Sequence, residues 1–173
     1  MHQLPEFPMQ SVKADQAEKM KLYAGPNGEI EKFSVYVKAE AVPQWAHDMA
    51  DKEIGKGEAS SFEVEHYADG KQTYEITRKI DGVKTEISFS TDKSINYVEK
   101  AIDCSATPEK VQAAAKAVAG FNLEECESKK TGDMMAYEVE GKLNGMGHSF
   151  EFKADGTLVT RRKTIMGKME VRY

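Results

Sequence analysis

The sequence predicts an α+β fold in which two tandem repeats, each a helix followed by a four-stranded antiparallel meander, form one sheet with the helices packed on one face. Three observations lead there: landmarks recurring at a constant spacing, proline-opened apolar stripes at helical period, and alternating runs separated by Asp-Gly or Asn-Gly. The spacing comes first, because an internal repeat decides the architecture. Tyr74-Glu75-Ile76 recurs as Tyr137-Glu138-Val139, Asp81-Gly82 as Asn144-Gly145, Ile87-Ser88-Phe89 as Phe150-Glu151-Phe152, and Asp92 as Asp155, each 63 positions on. Upstream, Val42-Pro43 matches Thr107-Pro108 and Gly55 matches Gly120 at 65 positions, so the join between helix and sheet absorbs two residues. The repeats are expected at 42–102 and 107–165.

Taken in chain order, residues 1–19 read as a polar tail with two prolines. Residues 20–38 read as a hairpin around Pro26-Asn27-Gly28, the remnant of a third repeat. Pro43 then suits a first helical turn, where its missing N–H has no partner to lose. Val42, Trp45, Ala46, Met49 and Ala50 form one stripe, and Gly55 closes it. The second helix runs from Pro108 with Thr107 as N-cap; its stripe is Val111, Ala114, Ala115, Val118 and Ala119, ending at Gly120.

The meanders turn at Asp69-Gly70, Asp81-Gly82, Asn144-Gly145 and Asp155-Gly156, dipeptides that tolerate the positive φ of tight hairpins. Alternation puts Phe62, Val64, Tyr74, Ile76, Ile87, Phe89, Tyr137, Val139, Phe150 and Phe152 on the inner face. The intervening residues, rich in glutamate, are expected to meet water. Residues 166–173 form a C-terminal extension.

A proline-started helix, a Tyr-Glu-Ile or Tyr-Glu-Val strand, an Asp-Gly or Asn-Gly turn, an aromatic strand and a final Asp-Gly turn together resemble the PepSY-like family. That family is similar to the β-lactamase-inhibitor protein, which also uses two such repeats. The resemblance covers about 120 residues and is best from Tyr137 to Leu158; it departs at Asp92-Lys93, where the usual glycine is missing. It implies an exported, non-catalytic protein, periplasmic or extracellular, whose sheet binds a protein partner. It carries no catalytic residues.

Composition narrows the field independently. A net charge of -5 lacks the basic excess that phosphate backbones demand, which argues against nucleic acid. No apolar run reaches the roughly 20 residues of a helical membrane span, so the chain is not expected to be membrane-embedded. Met1–Gln10 has neither the basic nor the apolar region of a signal peptide. No nucleophile–base pair, phosphate loop or apolar carboxylate pair emerges, so no enzyme and no cofactor is expected.

Candidate binding residues lie on the outward face: Glu63, Glu65, Tyr67, Glu75, Glu86, Glu138, Glu140 and Glu151, accompanied by Arg78, Lys84 and Lys142. Mixed charge with an aromatic suits a protein partner, and an ordinary solvated face explains the same pattern. Met146 and His148 carry the ligand types that suit Cu(I), which makes a periplasmic copper protein the second reading. His47 with Asp48 and Asp51 shares one helical face, and His66 follows the apolar phase of its strand. Cys104 and Cys126, the only cysteines, are placed either to close a disulfide across the second helix or to remain buried thiols.

Overall fold

The computed structural model describes residues 17–165. The expected polar tail therefore lies outside the described residues except for its last three positions, as does the C-terminal extension.

The α+β expectation of two helix-plus-four-strand repeats is overturned. The chain is mostly one ten-stranded antiparallel sheet, 57% strand and 16% helix. Its strands are hydrogen-bonded in chain order: β1 (Ala17–Ala24), β2 (Ile30–Val37), β3 (Glu58–Tyr67), β4 (Gln72–Ile80), β5 (Val83–Ser90), β6 (Ile95–Ile102), β7 (Phe121–Thr131), β8 (Met134–Leu143), β9 (Met146–Lys153) and β10 (Leu158–Lys163). Two short helices, α1 (Gln44–Glu53) and α2 (Glu109–Lys116), lie between β2 and β3 and between β6 and β7.

The physical reason is one of extent. The helices have only 10 and 8 residues, and α2 stops three residues short of Ala119. The 20–38 segment supplies the two strands of a hairpin, paired from Lys19↔Tyr36 to Ala24↔Ile30, which adds to the strand content. Positive-φ turns at Asp81-Gly82 and Asn144-Gly145 pass each ladder directly to the next strand. Even Lys93, where a glycine was expected, adopts φ 70°, while the Asp92 carboxylate accepts from the Ser94 backbone N–H at 3.0 Å.

Two compact units divide the chain at Val98–Glu99. In the first, Val42, Ala46 and Ala50 of the α1 segment are buried against Phe33, Val35, Val64, Ile76, Ile87 and Phe89. Trp45 packs edge-on to Tyr74 and Phe89. In the second, Val111 and Ala115 are buried with Cys126, Val139, Phe150 and Phe152. The apolar alternation thus does what period-2 patterning implies: it gathers one face of each meander under a helix.

Arg78 departs from its expected outward position. It shares strand phase with Tyr74 and Ile76, is buried, and donates to the Gly55 carbonyl at 2.8 Å and to Asp51 at 2.6 Å. A cation there complements the C-terminal end of α1. Asp51 is thereby engaged, and His47 lies 3.0 Å from the Ala39 carbonyl, so the His47–Asp51 pairing is drawn in two directions.

Candidate functional site

The opposite face of the first unit is polar, and its residues align in cross-strand rows. Lys19, Tyr36, Glu63, Glu75 and Ser88 form one row from β1 to β5. Lys21, Ser34, Glu65, Thr73 and Ser90 form the next, and Tyr23, Lys32 and Tyr67 a third. The parity that sends Val64 and Ile76 to the core sends these residues to one common surface.

The expectation that this surface meets water is corrected. Glu63, Glu65 and Glu75 are 3%, 1% and 6% exposed, and Ser34, Thr73, Thr77 and Ser88 are buried with them. Carboxylates removed from water must be paired or hydrogen-bonded. Glu63 receives Lys21 at 3.2 Å and the Ser34 hydroxyl. Glu65 receives Lys32, the Tyr67 hydroxyl at 3.0 Å and the Thr73 hydroxyl at 2.9 Å. Burial alone would raise the Glu65 carboxyl, yet the charge of Lys32 and these three donors hold it below the ordinary range.

The lysines are in turn stacked on tyrosines. Lys21 lies 4.7 Å from the Tyr36 ring centroid, and Lys32 lies 4.4 Å from that of Tyr23 and 5.5 Å from that of Tyr67. Burial opposes the charge on Lys21, but its bond to Tyr36 and the field of Glu63 outweigh it and keep the ammonium protonated beyond the usual range. Burial also lifts the Tyr23 phenol to about 12. The face is therefore two-tiered: buried glutamates underneath, with half-buried lysines and tyrosines locked above them.

Glu75 differs from its neighbours. It sits directly across from Glu63, and its carboxylate meets the Tyr97 hydroxyl at 2.5 Å. Burial first, then the charge of Glu63, pushes it up to about 7. Glu86 is half-buried, 3.2 Å from both Tyr97 and Thr77 hydroxyls.

The second unit places Glu138, Glu140 and Glu151 on one face of β8 and β9. Glu138 is 5% exposed and faces Glu127 across the ladder; Arg162 reaches it at 3.4 Å. Lys129 lies 2.8 Å from Glu99 and 3.6 Å from Glu151. Here, too, Glu99, Glu138 and Glu151 are clasped by cations from other strands. Lys84 and Lys142 are exposed, as expected.

Met146 and His148 share strand phase, but His148 is buried in line with Phe150 and Phe152. Its Nδ1 has no partner, and burial together with Arg161 and Lys163 disfavours its protonation. Those two cations oppose a metal ion at the same place. No group of three or more His, Cys, Asp or Glu residues suited to a metal occurs among the described residues. His66, in the apolar phase of its strand, is a core histidine that stacks on Phe33 at 4.7 Å, its Nε2 likewise without a hydrogen-bond partner. Cys104 and Cys126 are joined in a disulfide with Cα atoms 5.1 Å apart.

Lys21, Lys32, Ser34 and Tyr97 hold the site together and were not anticipated. For Lys21, Lys32 and Ser34 the signal was present as Lys-x-Lys-x-Tyr at 19–23 and Lys-x-Ser-x-Tyr at 32–36, polar residues in strand period.

No family model matches the chain, and no curated protein matches it. Among solved structures it is similar to a DUF2874 family protein from Bacteroides uniformis, with a TM-score of 0.56 at 14% identity, over 70% of this chain and 89% of that one. A BLIP-like protein from Bacteroides fragilis gives a TM-score of 0.51 at 15% identity, over 75% and 92% respectively. A second DUF2874 family protein, from Bacteroides ovatus, gives 0.50 at 10% identity, over 69% and 84%. At such identities the likeness is one of fold, and the fold is BLIP-like.

Proposed function

We propose, from a BLIP-like fold whose polar face is rigidly preassembled, that this chain is a non-enzymatic binding protein engaging a protein partner through the tyrosines and lysines of its first unit. The observation that carries this reading is the two-tiered face. Ordering long side chains on association costs about 0.5–1.5 kcal/mol each, and a face already locked by buried carboxylates has met that cost in folding. Tyr23, Tyr36, Tyr67 and Tyr97 supply the amphipathic anchors that dominate protein interfaces. Glu63, Glu65 and Glu75 then act from beneath by holding those anchors.

The Cys104–Cys126 bridge supports an oxidising compartment, periplasmic or extracellular, because such bonds persist outside the reducing cytosol. The PepSY-like resemblance of the sequence points to the same compartment.

The test is affinity capture from envelope extract with wild type and with Lys19→Glu/Tyr36→Ala, two changes on the upper tier. A specific protein retained by the wild type and lost from a variant with unchanged circular dichroism supports the reading. Equal capture by both, or none by the wild type, counts against it.

A further inference from the structure

Tyr97 makes a contact that ordinary protonation states do not satisfy. Its hydroxyl oxygen lies 2.5 Å from Glu75 Oε2 and 3.2 Å from Glu86 Oε1. A phenol has one hydrogen to donate, and an ionised carboxylate only accepts. A single shared hydrogen serves two acceptors weakly, and both contacts become full hydrogen bonds when one of the two carboxyls brings a proton of its own.

The surroundings decide which. Glu86 is half-buried and accepts from the Thr77 hydroxyl on its other oxygen. Glu75 is buried and faces Glu63 across the β3–β4 ladder, with Glu65 on the same strand face. Lys21 and Lys32, on β1 and β2, are drawn to Glu63 and Glu65, with Tyr23 and Tyr36 beside them, while Lys84 of β5 lies two positions from Glu86 in the same strand phase. From β5 comes the negative Glu86 and from β6 the phenol of Tyr97. Like charges directly opposite in a sheet repel, and burial strengthens that repulsion.

We infer that Glu75 is a proton-binding group whose carboxyl donates to Tyr97 while Tyr97 donates to Glu86, a chain that makes the seating of Tyr97 depend on pH. Loss of the Glu75 proton leaves two carboxylates competing for one phenolic hydrogen, and Tyr97 then holds only one of them. Burial and Glu63 raise the affinity of Glu75 for its proton and outweigh the hydrogen bond from Tyr97, which opposes them. Any coupling to partner binding rests on the function proposed above, whereas the proton chain does not.

The experiment is a carbon-13 NMR titration of the full, oxidised chain from pH 4 to 9, following Glu carboxyl and Tyr ring carbons, with Glu75→Gln assigning the Glu75 signal. Glu75 is expected to titrate at about 7, well above the ordinary glutamate value of about 4.3, with Tyr97 shifting at the same midpoint. In Glu75→Gln the Tyr97 shift disappears. In Glu86→Gln the amide can donate to Tyr97, freeing the phenol to donate to ionised Glu75, so the Glu75 midpoint falls towards the ordinary value. A Glu75 midpoint in the ordinary range in the wild type overturns the inference. So does a Tyr97 shift that persists in Glu75→Gln, or a midpoint unmoved in Glu86→Gln. Failure of partner capture leaves these readouts unaffected.

Discussion

Reducing the Cys104–Cys126 bond should loosen the second unit by about 3 kcal/mol. The cysteines are 22 positions apart, bridging the start of the α2 segment to β7. For a loop of this length, cross-linking removes roughly 11 cal/mol/K of loop-closure entropy from the unfolded chain, or about 3 kcal/mol at 25 °C. Reduction isolates that quantity, because both sulfurs stay in place and Cys126 remains packed with Val111 and Val139. An eight-residue helix has little stability of its own, so α2 depends on its attachment. Amide hydrogen exchange of β7 to β9 is the appropriate assay, since the single tryptophan, Trp45, reports on the other unit. At about 1.4 kcal/mol per tenfold, the most protected amides of these strands should exchange roughly a hundredfold faster when reduced. A change below about threefold would refute the loop-closure reasoning and leave the bridge energetically incidental. Cys126→Ser should then cost more than Cys104→Ser, because Cys126 lies in the apolar cluster and Cys104 at its margin.

Three further outcomes follow from the same geometry. Glu75 binds its proton more tightly when folded, so its contribution is present below the unfolded value near 4.5 and is lost as pH rises through about 7. Glu75→Gln, which cannot ionise, should therefore gain on wild type between pH 5 and 8, by up to about 3 kcal/mol, in paired urea titrations. Lys32→Met leaves Glu65 buried without its cation and should cost about 3 kcal/mol at pH 7, shrinking as acid protonates Glu65; a pH-independent loss would assign the cost to packing instead. At Gly141 an added Cβ would lie 2.0 Å from the Asn122 carbonyl oxygen, whereas at Gly145 it meets nothing within 4 Å but sits at φ 79°. Gly141→Ala should accordingly unfold the second unit at markedly lower temperature, and Gly145→Ala should cost only about 1 kcal/mol; similar melting temperatures would contradict the close β7–β8 approach.

What could be read in advance was local. Asp81-Gly82 and Asn144-Gly145 declared their turns because few residues other than Gly, Asn and Asp tolerate positive φ, and Val64, Ile76, Val139 and Phe150 declared the core by alternation. Arg78 was legible too, since its phase matches Ile76, but its charge suggested the wrong face. The state of the polar face was not legible. Alternation reports which residues share a surface and is silent on whether that surface is wet. The burial of Glu63 and Glu65 depends on Lys21 and Lys32, some 40 and 30 positions upstream, in strands that looked like a remnant. The balance of helix and sheet failed for a related reason: a proline start and an apolar stripe mark where a helix begins, while its brevity is decided by where the chain must rejoin the ladder.

Chain-order pairing has a kinetic consequence. Within each meander a strand finds its partner across a turn of a few residues, so most ladder contacts are local in sequence and little loop entropy precedes the first stable pairs. Individual hairpins of this kind form in roughly microseconds, and each completed strand becomes the template for the next. The same economy carries a hazard. A slip of one residue at any turn reverses every later side chain, which would drive Glu63, Glu65 and Glu75 against Trp45 and Phe89 and leave Val64 and Ile76 in their place. At Asp81, Lys93 and Asn144 the positive-φ turn fixes the register of the strand that follows, and with it which of that strand's faces is charged.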